Sequence, residues 1–239
     1  TYQSLHSPFL SYESPLERVS EPIRIMSTVQ IKPGRTVFAA AAALAARLAG
    51  SNLVLVRPSA PLVDPARSIM ELLEAAQVPV AADLGCAGPR TARQLINAGA
   101  QQVVVSHEAL LHPSLVREVT SAVGSEASIF RIACQATAPG QVEVLNGVDQ
   151  ASGIECRQWL DEIQEMGART VILRPSTTLP SEGLLSLVRE SDLDIYLERP
   201  GWNLRLADAL GAAGIVTEGA LGCREQLEEE GLLAVQTNG

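Results

Sequence analysis

Residues 52–60 read NLVLVRPSA, and residues 169–177 read RTVILRPST. Each is a short apolar run rich in β-branched residues, closed by Arg-Pro-Ser with Arg57 and Arg174 at the turn. An unbroken apolar run of this length is the pattern of a strand buried on both faces, as in a parallel sheet covered by helices. The proline removes a backbone donor and ends the pairing. The same strand ending in each half of the chain suggests an internally repeated fold. A second pair of segments agrees: LINAGAQQVVVSHEAL (95–110) is similar to LGAAGIVTEGAL (210–221).

Working outward, the same kind of run recurs as STVQI, LVLV, VPVAA, QVVVS, SIFRIAC, TVILR, LDIYLE and AGIVTE. Between these runs lie stretches with helical periodicity, such as DPARSIMELLEAAQ and PRTARQLINAGA. Gly50, Gly99, Gly124, Gly167 and Gly214 stand just before a strand, where a left-handed helix cap fits a tight αβ loop. Eight strands alternating with helices predict a (β/α)8 barrel, built here from two related half-barrels over residues 25–239. An open doubly wound sheet is the alternative with the same local signals. Residues 1–24 mix Ser, Pro and aromatics without a period and read as an extended N-terminal arm.

Composition narrows the function. Apolar residues make up 46%, enough for a sizeable core, and the aromatic share of 3% points to a core of Val, Ile, Leu and Ala. A net charge of −9 argues against nucleic acid or an anionic membrane surface as the main partner. Cys86, Cys134, Cys156 and Cys223 are too dispersed for a zinc set or a disulfide framework and read as reduced thiols. No run is long enough for a bilayer, and the start lacks a basic segment followed by an apolar one, so a cytoplasmic location is the simplest expectation. Nothing in the chain calls for a cofactor or a metal.

In such a barrel, function sits at the C-terminal ends of the strands. Those ends carry Lys32, Arg57, Asp83, Ser106 with His107, Gln135, Arg174, Glu198 with Arg199, and Thr217 with Glu218. The result is a polar mouth with both charge signs. Each residue singly is also what an ordinary polar rim would show, since an arginine can stop a strand and extend its charge to water.

From Ile25 to about Leu227 the chain resembles the histidine-biosynthesis barrels. These are the phosphoribosylformimino-aminoimidazole carboxamide ribotide isomerase and the cyclase subunit of imidazole glycerol phosphate synthase. STVQIKPGRTV resembles the family's first strand and turn, RQLINAGAQQVVVSHEAL its fourth unit, and GQVEVLNGVDQASGIECRQWLDEIQEMGARTVIL its fifth-to-sixth unit. The resemblance implies acid–base chemistry by two aspartates, at the ends of strands one and five. Here those positions are Gln30 and Gln135, amides that neither take up nor release a proton near neutral pH. It also implies glycine-rich phosphate cups, where this chain has Asp83, Glu198 and Glu218. A carboxylate a few ångströms from a phosphate costs about 1 kcal/mol or more even at a wet site. Arg57 and Arg174 in turn replace acids.

Two arrangements account for this exchange of charge. Arg57 or Arg174 could pair internally with Glu198 or Glu218 and fill the old site. Alternatively, one arginine from each half could form a new anion site, since a guanidinium grips a carboxylate or phosphate by two hydrogen bonds. The functional expectation is a ligand- or partner-binding pseudoenzyme. Its ligand would be a small anion at the C-terminal face, and a protein partner or second copy could dock through the N-terminal arm. The alternative is an active isomerase or lyase on a phosphorylated sugar or other small anionic metabolite, using Arg57, Arg174, Lys32 and His107. A purely structural subunit is a third possibility.

Overall fold

The computed structural model describes residues 23–86, 88–138, 140–176, 182–198 and 203–229. In chain order the strands are β1 (Arg24–Ile31), β2 (Leu53–Pro58), β3 (Val80–Ala82), β4 (Gln102–Val105), β5 (Ser128–Ala138), β6 (Gln141–Leu145), β7 (Ala151–Glu155), β8 (Thr170–Pro175), β9 (Asp194–Glu198) and β10 (Gly214–Glu218). The helices are α1 (Thr36–Leu48), α2 (Pro65–Ala75), α3 (Pro89–Asn97), α4 (Glu108–Leu111), α5 (Ser114–Val123), α6 (Cys156–Glu165), α7 (Glu182–Glu190), α8 (Leu204–Ala209) and α9 (Gly219–Glu229).

The parallel strands run in the order β1–β2–β3–β4–β5–β8–β9–β10 and close through the β1–β10 and β4–β5 pairings. This closure decides for the barrel over the open sheet. Residues 1–22 of the expected arm lie outside the described residues, and Arg24 already belongs to β1.

Local signals explain the helix starts. Asp64 caps α2, its carboxylate accepting from the Arg67 backbone N–H at 3.0 Å ahead of Pro65, and Asn203 caps α8 in the same way. Gly50, Gly99, Gly124 and Gly167 do take positive φ. Gly214 does not: it opens β10, and the left-handed residue there is Gly211, at φ 73°. Gly214 is needed for closeness instead. A Cβ on it would lie 2.1 Å from the Arg24 carbonyl oxygen and 2.6 Å from the Tyr196 ring.

Inside the barrel one side chain from each strand forms a single layer: Met26, Leu55, Ala81, Val104, Ile129, Ile172, Tyr196 and Val216. The opposite faces of the strands pack on the helices in the larger core, with Val54, Val56, Phe130 and Leu173 fully or almost fully buried. Strand alternation then dictates that residues two positions beyond the inner layer also point inward, toward the mouth.

One expectation is corrected. Strand five is not followed directly by a helix. β5 runs on past the barrel, and β6 and β7 pair with it as an antiparallel hairpin before α6 begins.

Candidate functional site

Two residues beyond the inner layer, four side chains meet. Arg57 on β2 follows Leu55, Asp83 follows Ala81, Arg131 follows Ile129 and Glu198 follows Tyr196. The Arg57 Nε donates to Asp83 Oδ2 at 2.9 Å, and its Nη1 donates to Glu198 Oε1 at 2.5 Å. From the other side, Arg131 Nε donates to Glu198 Oε2 at 2.7 Å and Nη2 to Oε1 at 3.1 Å. Ser106 reaches Asp83 Oδ1 by a long contact of 3.5 Å. Glu198 is 8% exposed, so both its oxygens are taken by guanidinium groups away from water.

Two positive and two negative charges thus balance within the barrel. Burial pulls the Arg57 guanidinium down, but the carboxylates of Glu198 and then Asp83 outweigh it and hold its pKa above the ordinary value. Burial pushes Glu198 up, and the hydrogen bonds from Arg131 and the charge of Arg57 outweigh that, so its pKa lies below the usual carboxylate value. The buried Arg57 Nη2 and Thr28 Oγ1 have no hydrogen-bond partner among the described residues.

The internal pairing of Arg57 with Glu198 is therefore present. Arg174 does something else: its Nη2 pairs with Asp149 on the loop between β6 and β7, not with Glu198 or Glu218. That loop is shaped by Asn146, whose Oδ1 accepts from the backbone N–H groups of Val148 and Gln150 at 3.0 Å each. Asp149 takes φ 57°, a left-handed conformation that Asp tolerates better than most residues. The insertion is thus tied back onto the barrel rim.

Gln30 is exposed at the end of β1, in register beside Arg57. Gln135 lies on the extension of β5, opposite Glu143 of β6. Lys32 is exposed in the turn before α1, where its carbonyl accepts from the Arg35 backbone N–H at 3.0 Å. Glu218 is exposed at the end of β10, in register with Thr28 and apart from the ion-pair cluster. Arg199 lies outside the described residues.

His107 stands at the rim after β4, its Nδ1 3.8 Å from Glu108 Oε2. Its ring packs on the backbone of Gly147, where a Cβ would come within 2.6 Å. Beside it a cavity of about 110 Å³ opens between the β4–α4 turn, β5 and the hairpin loop. Ser106, His107, Arg131, Asn146 and Arg174 line its polar side.

The residue that sequence reading missed is Arg131. It lies in the middle of SIFRIAC rather than at a strand end, where function in such a barrel is expected. The signal was available: a charge inside an otherwise apolar strand must find a partner in the interior.

All four cysteines are free and buried. The neighbouring Cys134 thiol and then burial hold the Cys156 thiol well above its ordinary value, and burial pushes Cys86 up to about 11. Neither is an activated nucleophile. Among the described residues no three metal-ligating side chains converge, and no helix is long and apolar enough to cross a membrane.

A family model described as "Histidine biosynthesis protein" matches residues 64–186, more than half of the chain. The matched span runs from the start of α2 into α7 and includes Asp83, His107, Arg131, Gln135 and Arg174.

Proposed function

The chain belongs to the histidine biosynthesis protein family, and from that membership we propose that it is a binding barrel which no longer performs the isomerase or cyclase chemistry. The observation that carries this reading is the Glu198 carboxylate held between Arg57 and Arg131 in the barrel interior. Opening and reclosing a sugar ring needs a group that takes up a proton and one that gives it back across the mouth. The side chains at the two inherited positions, Gln30 and Gln135, do neither, and the neighbouring Glu198 has both oxygens occupied. Removing Glu198 from its arginines to serve as a base would leave Arg131 without its carboxylate and Arg57 with Asp83 alone in a poorly solvated space.

The test is a calorimetric titration with the bisphosphorylated isomerase substrate, with product followed in the same sample. Neither heat nor product is expected. Turnover would overturn the reading. The double substitution Gln30→Asp with Gln135→Asp is expected to stay inactive, because Asp83, Glu198 and Glu218 still stand where the resemblance places phosphate cups. Appreciable turnover by that variant would show that only the acid–base pair had been lost.

A second reading, an enzyme acting on a small anion, is favoured by one feature: His107 lies beside the Glu108 carboxylate at the wall of the rim cavity. Product formation that disappears in His107→Gln would support it over the first.

A further inference from the structure

We propose that the rim cavity beside β5 is a site for a small aliphatic carboxylate of roughly four to six non-hydrogen atoms, in proportion to a cavity of about 150 Å³ that holds benzene. The inference rests on the binding reading above and gives the ligand its chemical class. The space of about 110 Å³ is in proportion to a ligand of this size. Its walls have two characters. Arg131, Arg174 and His107 supply basic groups, and Leu110, Leu145 and Trp159 supply apolar surface.

The basic groups have donors to spare. Glu198 takes Nε and Nη2 of Arg131, and Asp149 takes Nη2 of Arg174. The other N–H groups of these two guanidiniums are not taken by the described residues, and the two side chains are 23% and 34% exposed. Among the described residues Asp149 is the one acidic side chain lining the cavity, and it is 60% exposed. Two guanidiniums match a carboxylate by parallel hydrogen bonds. The apolar wall then favours a short hydrocarbon end. Inorganic phosphate, polar on every side, gains nothing from apolar lining such as Leu110 and Leu145, which cannot replace its hydration.

Gly147 completes the arrangement. Any side chain at this position would meet the His107 imidazole, so the loop backbone sets the ring's place at the cavity wall.

The full chain is titrated with sodium propionate at constant ionic strength, reading the His107 imidazole resonances and the heat. Propionamide and inorganic phosphate are run in parallel. The expected result is a saturable shift with propionate and none with propionamide. Arg174→Gln should weaken propionate at least tenfold while the melting temperature changes little, since Arg174 is a partly exposed rim residue. Leu145→Phe, which fills the apolar end, and Gly147→Ala, which displaces the imidazole, should each weaken binding as well. The absence of a saturable shift, equal binding of propionamide, or unchanged affinity in Arg174→Gln would each overturn the site. Tighter binding of phosphate than of propionate would overturn the carboxylate assignment. Failure here is distinct from failure of the binding reading, which falls only if the bisphosphorylated substrate is turned over.

Discussion

Glu198 has both oxygens committed, and its behaviour should follow from that. Glu198→Gln keeps the shape but leaves Arg57 and Arg131 facing an amide in the interior, and should cost about 3–5 kcal/mol at neutral pH in chemical denaturation. Its pKa is lower in the folded chain than the ordinary 4.5. Its contribution to stability is therefore fully present above that value and is lost as pH falls through the lower, folded one. The gap in melting temperature between wild type and Glu198→Gln should shrink on acidification below about 4.5. A gap that stays constant would mean the carboxylate is not held as described. Gly214 makes a sharper case, because an added methyl meets backbone as well as a ring. Gly214→Ala should destabilise by about 1–3 kcal/mol or more, measured in urea. Arg57, Asp83 and Glu198 were readable as charged strand ends. Which arginine met which acid was not, because Arg57 and Glu198 stand on strands that never pair with each other.

At the scale of elements, the β6–β7 hairpin is the departure from eight plain βα units. Its sequence held turn signals, Pro139-Gly140 and Asn146-Gly147, around the alternating QVEVL. Such short alternating segments carry a weak signal until a partner strand is found, so the two strands are not legible from the sequence alone. Its tether is the Arg174–Asp149 pair, exposed at 34% and 60%. Such a pair contributes about 0–1 kcal/mol to global stability, so its effect should be local. Asp149→Ala should leave the melting temperature within a few degrees of wild type and speed amide exchange in residues 141–155, read by hydrogen exchange with mass spectrometry. Unchanged exchange there would mean that β5 alone holds the hairpin. Helix α1 shows a different mismatch: its sequence is apolar on nearly every side, yet Val37, Phe38 and Leu48 are 73%, 73% and 80% exposed. Periodicity could not tell its buried alanine face from the exposed one, because both are apolar.

For the whole molecule, stability rests on a closed sheet with one layer of side chains inside and a larger core outside. Leu55 is fully buried in the inner layer, and Leu55→Ala should cost about 2–5 kcal/mol because the ring of strands cannot collapse onto the gap. The four buried thiols give a global readout. A thiol reagent should leave the native chain unmodified and label all four positions only as the fold opens, at rates that follow denaturant. Rapid labelling of Cys134 or Cys156 in the native state would contradict their burial. Strand and helix alternation and the polar residues at strand ends were determined by the sequence itself, because each depends on neighbours within one turn or one strand. Closure of the barrel, the meeting of Arg57 and Arg131 on Glu198, the turn of Arg174 toward Asp149 and the cavity at the rim were decided only by tertiary structure. Each joins groups from separate strands and loops, and local preference carries no information about which distant side chain will stand opposite.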